Sequence, residues 1–257
     1  MSEFLSVKNL CKTFKITEKK RKLFRSSGVK TALDDLSFSV GEQEIFGLLG
    51  PNGAGKTTAM RIIATLIKSD SGDAIVGGVS VRDAPLEARR GIGFLSLDLK
   101  LEDFFSASYL FDFFSALRNV PEKEAARRKE RLFARFGINE YAGERLSALS
   151  SGMRQKVSLV VSIAHDPRTI IFDEPTNGLD ILAAREVSDF LLELKAQGKT
   201  IILATHIFGL AEKICDRVGF IVNGRMLDSD ASMDGSLEDR FFALYEQQSA
   251  QNMGDKI

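Results

Sequence analysis

The stretch LLGPNGAGKTTAM, Leu48 to Met60, sets three glycines, one proline and one lysine between an apolar run and a segment of helical periodicity. A glycine has no Cβ, so its amide can turn toward a ligand and other atoms can approach the backbone closely. The spacing Gly50-x4-Gly55-Lys56-Thr57 matches the P-loop pattern, in which backbone N–H groups and a helix N-terminus surround phosphates. The flanking segments EIFGLL and TTAMRIIATLI have the character of a buried strand and an amphipathic helix, as the motif requires. The sequence therefore predicts a phosphate-binding loop rather than a glycine-rich turn that binds nothing.

The side chains of this loop have separate expected roles. Lys56 should reach the outer phosphates as a point charge, the Thr57 hydroxyl should ligate Mg²⁺, and Thr58 should donate to an inner phosphate. The expected phosphate-binding set is Gly50, Pro51, Asn52, Gly53, Ala54, Gly55, Lys56, Thr57 and Thr58.

Composition limits the classes of function. The chain has 257 residues, with 35 Lys plus Arg and 35 Asp plus Glu, so no overall field draws it to nucleic acid or to an anionic membrane. Cys11 and Cys215 are its only cysteines and lack metal-binding spacing, which argues against a zinc site and a disulfide framework. The N-terminus lacks the features of a signal peptide, and nowhere do eighteen apolar residues run together. We expect a cytoplasmic chain that neither crosses a membrane nor is exported, and no nucleic-acid partner.

The N-terminal part alternates apolar and polar residues in FLSVKNL and again in ALDDLSFSV. This period of two predicts strands of an antiparallel layer with one face in water. Between them lies a basic cluster of Lys19, Lys20, Arg21, Lys22 and Arg25. A solvated hairpin loop is the favoured interpretation of this cluster, and contact with lipid head groups or with a nucleotide is the alternative.

A helical insertion is expected from Leu97 to about Ala148, where one helix face carries Tyr109, Leu110, Phe113, Phe114 and Leu117. We interpret this stripe as core rather than as a docking surface, because buried aromatic side chains supply much of the packing of a small subdomain.

Beyond the insertion, buried apolar strands alternate with helices, a rhythm that predicts a parallel sheet. The segment SLEDRFFALYEQQ predicts a terminal helix. The expected fold is α/β: a P-loop NTPase (RecA-like) core with an antiparallel β layer and an inserted helical subdomain. We expect one domain over residues 4–240, with core residues 4–96 and 159–227 and helical residues 97–158, and a C-terminal helix and polar tail in residues 228–257.

Acidic and histidine side chains follow two of the predicted strands. TIIFDE ends at Asp173 and Glu174, where Asp173 is suited to the Mg²⁺ shell and Glu174 to accepting a proton from an attacking water. His206 follows TIILAT and should lie at the same sheet edge, within reach of the γ-phosphate. His165 lies in a turn, AHDPRT, and is expected to be structural.

The segment LSALSSGMRQKV places Ser150, Ser151 and Gly152 at the start of a predicted helix. A helix N-terminus attracts anions, so this is a second candidate anion site, although ordinary capping by either serine would explain it in isolation.

The order of these parts resembles the ATP-binding subunit of an ABC transporter, over the chain from Phe4 to about Leu227. GPNGAGKTT is similar to the family's Walker A motif, IIFDE to Walker B, LSSGM to the signature and NGLD to the D-loop, which contains Asp180. The resemblance implies ATP as cofactor, a switch role for His206, and adenine stacked on Phe14. It further implies a head-to-tail pair, in which the signature of one subunit meets the P-loop of the other.

Some residues depart from the family pattern. Ser151 replaces a glycine and Met153 a glutamine of the signature, and Leu97 stands where a glutamine usually reaches Mg²⁺ and water. The resemblance implies a subunit that lies on the inner face of the cell membrane and drives a separately encoded integral membrane permease. The similarity is greatest to single-domain bacterial exporters, with sodium export as the nearest type. A soluble ABC ATPase that acts on DNA or ribosomes and a degenerate nucleotide-binding regulator remain alternatives.

Overall fold

The computed structural model describes residues 3–15, 28–96, 101–231 and 235–254. Its strands are β1 (Glu3–Lys15), β2 (Val29–Gly41), β3 (Ile45–Leu49), β4 (Ser71–Val76), β5 (Val79–Ser80), β6 (Ile92–Ser96), β7 (Thr169–Asp173), β8 (Thr200–Thr205), β9 (Arg217–Val222) and β10 (Arg225–Ala231). Its α-helices are α1 (Lys56–Ile63), α2 (Pro85–Arg90), α3 (Ala107–Leu117), α4 (Glu122–Phe136), α5 (Ser151–Ser162), α6 (Ile181–Ala196), α7 (Phe208–Ile214) and α8 (Leu237–Gly254). Two 3₁₀ turns, Ile138–Tyr141 and Leu146–Ala148, lie between α4 and α5.

The strands form two sheets. A four-stranded sheet has the order β2-β1-β4-β5 and is antiparallel, which confirms the predicted antiparallel layer. A six-stranded sheet has the order β10-β9-β3-β8-β7-β6, in which the neighbours from β9 to β6 are parallel and confirm the prediction for the second half of the chain. Every residue of β3, β7 and β8 is buried, as strands covered on both faces require. The carboxyl ends of these strands and of β6 therefore meet at one edge.

The P-loop connects β3 to α1 at this edge. The helix begins at Lys56, one residue before the predicted start at Thr57, and ends at Ile63, four residues before the predicted end at Ile67. Thr65 has a left-handed backbone with φ of 63°, which no α-helix continues through. Arg89 fixes this turn, because its guanidinium donates to the Thr65 hydroxyl at 2.8 Å and to the Thr65 carbonyl at 2.9 Å.

The insertion is helical, as predicted, and consists of α3, α4, the two 3₁₀ turns and the start of α5. The expected limit between residues 158 and 159 lies inside α5, and the limit between residues 227 and 228 lies inside β10. The predicted helix at the C-terminal end is confirmed as α8, whose Phe241 packs on Phe208 and Phe220.

The interpretation of the α3 stripe as core is wrong for three of its five residues. Leu110 is buried and Phe114 is partly buried, but Tyr109, Phe113 and Leu117 are 47%, 47% and 61% exposed. The buried face of α3 is instead formed by Ala107, Leu110, Phe111 and Ser115. We call the exposed side chains Phe104, Tyr109, Phe113 and Leu117 the aromatic face.

No helix among the described residues combines the length and apolar character that a membrane span requires. The basic cluster of residues 19–25 and Leu97 lie outside the described residues.

Candidate active site

A cavity of about 250 Å³ lies beside the P-loop at the carboxyl edge of the six-stranded sheet. Its lining consists of residues 51–58, Phe14, Lys30, Ala32 and Glu174. The structure thus places eight of the nine predicted loop residues, together with Phe14, around one space. Gly50, the ninth, does not line the cavity, but its carbonyl accepts a hydrogen bond from Lys56.

Two glycines of the loop are required by close backbone contacts. A Cβ on Gly50 would lie 2.1 Å from the Ile221 carbonyl oxygen in β9. Gly55 has φ of 114°, and a Cβ there would lie 2.6 Å from the Ala32 carbonyl oxygen in β2. Larger residues would displace the loop from both strands, so the glycines hold its amides in place.

Lys56 is the buried cation of the site. Its Nζ donates to the Gly50 carbonyl at 2.5 Å and to the Pro51 carbonyl at 3.3 Å, and it lies 3.7 Å from Glu174 Oε1. Burial lowers the pKa of Lys56, and the carboxylates of Glu174 and Asp173 oppose this shift. The ammonium is therefore poorly solvated and is suited to binding an anion that enters the loop.

Asp173 ends β7 and is buried. Its Oδ2 accepts a hydrogen bond from Ser96 Oγ at 3.2 Å, and the Thr57 hydroxyl also bonds to its carboxylate. Its Oδ1 is buried and has no hydrogen-bond partner within the described ranges. Burial raises the pKa of Asp173, and the neighbouring Glu174 raises it further. Asp173 does not itself line the P-loop cavity, but it bonds to Thr57, which does.

Sequence reasoning missed Ser96. It ends β6 directly beside Asp173 in the parallel register of β6 and β7. A polar residue at the carboxyl end of a buried strand was the available signal, but the strand order that makes it a neighbour of Asp173 is a tertiary property.

Glu174 and His206 are brought together by the pairing of β7 with β8. His206 Nδ1 lies 2.8 Å from Glu174 Oε1, and the Thr205 hydroxyl donates to Glu174 Oε2 at 3.3 Å. The Glu174 backbone is left-handed, with φ of 55°, and its N–H donates to the Ala204 carbonyl at 2.9 Å. These contacts hold the carboxylate at the cavity wall, where it can act as a base beside a histidine.

The signature residues lie elsewhere. Ser150 caps α5, since its hydroxyl accepts from the Met153 N–H at 3.2 Å, and Ser151 and Gly152 form the first turn of that helix. None of Ser150, Ser151 and Gly152 lines the P-loop cavity. Asp180 also lies outside its lining and caps α6, with its Oδ1 accepting from the Leu182 and Ala183 amides at 2.9 Å each.

His165 is remote from the cavity, in agreement with its expected structural role. Its Nε2 lies 3.1 Å from the Ile92 carbonyl, which identifies this nitrogen as the donor. Burial, with Arg118 nearby, lowers the pKa of His165 to about 4. The ring is therefore neutral at physiological pH.

Known proteins are similar to this chain in sequence and in fold. The family model described as ABC transporter matches residues 33–177. The ABC transporter ATP-binding protein NatA of Bacillus subtilis is 34% identical over 239 residues, which cover 93% of this chain and 94% of that protein. The daunorubicin resistance ATP-binding protein DrrA2 of Streptomyces coeruleorubidus is 35% identical over 79% of this chain, which spans 63% of that protein. A solved ATP-binding subunit of an ABC transporter superposes with a TM-score of 0.78 at 29% identity, and 94% of each chain is covered.

A P-loop with a buried lysine, and a carboxylate at the adjacent strand ends, match the parts that ATP hydrolysis uses in P-loop enzymes. Together with the matched family model and with NatA along nearly the whole chain, they show that the chain belongs to the ABC transporter family, as an ATP-binding subunit that hydrolyses ATP.

Proposed function

We propose that this ATPase pairs head to tail with a second copy of itself and drives an integral membrane permease on a separate chain, as an exporter. The observation that carries the pairing is the position of the signature. Ser150, Ser151 and Gly152 stand at a helix N-terminus, where an anion is favoured, yet they do not line the cavity of their own P-loop. A partner's nucleotide supplies the missing anion. Ile181 and Leu182 directly follow Asp180 and have bulky side chains. They are 88% and 79% exposed and are available to the same interface.

Within each site, Lys56 and the loop amides bind the phosphate oxygens of ATP. Glu174 accepts a proton from the attacking water. His206, which lies 2.8 Å from the Glu174 carboxylate, orients that carboxylate and contacts the γ-phosphate. A bound γ-phosphate becomes the partner of Lys56 in place of Glu174, which lies 3.7 Å away from the ammonium. That exchange leaves the carboxylate available for the water.

The residues present fit Mg²⁺. The cation prefers oxygen ligands and keeps several waters. The buried Oδ1 of Asp173, which has no hydrogen-bond partner in the described part of the chain, offers an acceptor next to Thr57. Thr57 and Asp173 would hold the ion, which when bound neutralises charge on the phosphates.

The aromatic face supports a permease partner. Phe104, Tyr109, Phe113 and Leu117 are 59%, 47%, 47% and 61% exposed, and exposed aromatic clusters mark protein interaction sites. A partner embedded in the membrane would hold this chain at the inner, cytoplasmic face. Export is supported by the name of the daunorubicin resistance relative, and sodium is the cargo that the sequence resemblance suggests.

The substitution Glu174→Gln tests the ATPase mechanism and the pairing together. An amide keeps the shape of the side chain but cannot accept the proton, so ATP should bind, persist and hold two copies together. We expect turnover to fall at least about a hundredfold, or roughly 2.7 kcal/mol of barrier, and dimers to appear on a sizing column when ATP is added.

The matched control adds Lys56→Ala to the same chain. Removing the buried ammonium should abolish most ATP affinity and with it the dimer. A Glu174→Gln protein that stays monomeric with ATP and hydrolyses it at the wild-type rate would contradict both the base and the pair.

A further inference from the structure

The cavity beside the P-loop has a second end, formed by β1 and β2, with a lysine to which the mechanism assigns no role. Phe14 and Lys30 are direct register partners of these two strands, so their side chains leave the same face of the sheet. Ala32 lies two residues beyond Lys30, at an irregularity in the register of β1 and β2. All three residues line the cavity.

Lys30 lies at the end of the cavity away from the phosphate loop. Ala32 touches the loop, since a Cβ on Gly55 would come within 2.6 Å of the Ala32 carbonyl oxygen. Lys30 precedes Ala32 by two residues of extended strand, which places it about 7 Å further from the loop. The cavity therefore has an ammonium at each end, Lys56 at the loop and Lys30 opposite.

The Lys30 ammonium is available to a ligand. Its side chain is exposed and makes no hydrogen bond or ion pair with any other residue that the structure describes. The neighbouring Lys12 differs, because it pairs with Asp70 at 2.7 Å, lies over the Phe14 ring at 5.6 Å, and does not line the cavity. Lys30 is thus the cation that can meet the far end of a bound nucleotide.

The far end of a purine nucleotide is position 6 of the base. With the triphosphate on the P-loop and the ring against Phe14, the sugar would lie toward the loop and position 6 toward Lys30, because Lys30 lines the end of the cavity away from the loop. Adenine carries an amino group there, which donates, whereas guanine and hypoxanthine carry an oxo group, which accepts. An ammonium has donors only, and its pairing with the guanine oxo group is a recurrent specific contact.

We infer that Lys30 donates a hydrogen bond to the 6-oxo group of purine nucleoside triphosphates, so that this site binds GTP and ITP at least as tightly as ATP. The inference rests on the proposed binding of ATP and on the stacking of the base against Phe14 that the family resemblance implies. Lys30 then determines base selectivity, while Lys56 and the loop amides bind the phosphates that all three nucleotides share.

The test compares dissociation constants of ATP, GTP and ITP, measured by titration calorimetry on the full chain and on Lys30→Met. Methionine keeps the length of the side chain and removes its donors. Because Lys30 is exposed, the variant should unfold at the wild-type temperature. Lys15→Met is the matched control, since Lys15 is an exposed lysine near the end of β1, opposite Val29, and does not line the cavity.

We expect Lys30→Met to weaken GTP and ITP by about tenfold, equivalent to 1.4 kcal/mol, and ATP by less than about threefold. Lys15→Met should change none of the three. ITP lacks the 2-amino group of GTP, so a parallel loss for both nucleotides identifies the 6-oxo group as the partner.

Four outcomes would overturn the inference. An equal loss for all three nucleotides would place Lys30 on the phosphates, and no loss would leave it without a role. A wild-type chain that binds ATP normally but binds GTP and ITP tenfold more weakly would also overturn the inference. A chain that binds none of the three would overturn the proposed function as well, which separates the two failures.

Discussion

At the scale of single residues, His165 makes the stability of the fold depend on pH. Its ring is neutral in the folded chain because burial, with Arg118 and Arg128 nearby, lowers its pKa from 6.5 to about 4, while the Ile92 carbonyl and Asp166 oppose this shift. The unfolded chain takes up the proton first as the pH falls below 6.5. The free energy of unfolding is therefore unaffected by this group above pH 6.5. It falls by up to about 3 kcal/mol as the pH drops toward 4.

The substitution His165→Gln should flatten this dependence. The glutamine amide can still donate to the Ile92 carbonyl, but it takes up no proton in this range. Urea unfolding at pH 4.5 and at pH 7 measures the difference, and the same substitution at His206, the only other histidine, controls for loss of an imidazole. Parallel pH profiles for wild type and His165→Gln would show that burial of this ring does not set the acid limit.

At the scale of elements, Asp180 combines a capping role with an expected role at the nucleotide. Its carboxylate bonds two amides at the start of α6, so Asp180→Ala should cost about 1 kcal/mol of stability, whereas Asp180→Ser should keep the cap. If the carboxylate also serves the paired site, Asp180→Ser will fold normally but turn over ATP about tenfold more slowly. Thermal unfolding and steady-state hydrolysis on both variants separate the roles, and full activity of Asp180→Ser would limit Asp180 to capping.

The elements also show what could be predicted from the sequence. The P-loop and the acidic end of β7 were predictable because each depends on residues close together in the chain and on the polarity of one strand. The contact of Ser96 with Asp173, and the place of Lys30 opposite Phe14, depend on strand order and register, which no local pattern contains. The early end of α1 depends on a left-handed Thr65 that Arg89 holds from another element.

The α3 stripe was misjudged for a related reason. Periodicity identifies an apolar helix surface but does not say which part of it meets a neighbour. On α3 the buried face includes Phe111 and the small residues Ala107 and Ser115, and the helix packs on α4 and α5. Tyr109 and Phe113 are left at the surface.

At the scale of the whole molecule, the aromatic face should decide whether the protein remains with its permease. We expect the double substitution Tyr109→Ser and Phe113→Ser to abolish co-purification with a membrane partner from detergent-solubilised membranes, since about half of each ring is exposed and available for contact. ATP binding and the melting temperature should stay near wild type. Leu86→Ser, which removes a 73% exposed side chain from α2, is the control. Retention of the partner by the double variant would show that the docking surface lies elsewhere.

Two ionisable groups of the active site, Lys56 and Asp173, are kept from water by the protein itself. Their burial lowers the free energy of unfolding. A nucleotide binds only the folded state and offsets part of that cost. Binding of this kind raises the free energy of unfolding by mass action. Proteases attack the opened chain in proportion to its population. The lifetime of this protein in the cell should therefore follow the supply of nucleotide, with copies that have lost their nucleotide degraded first.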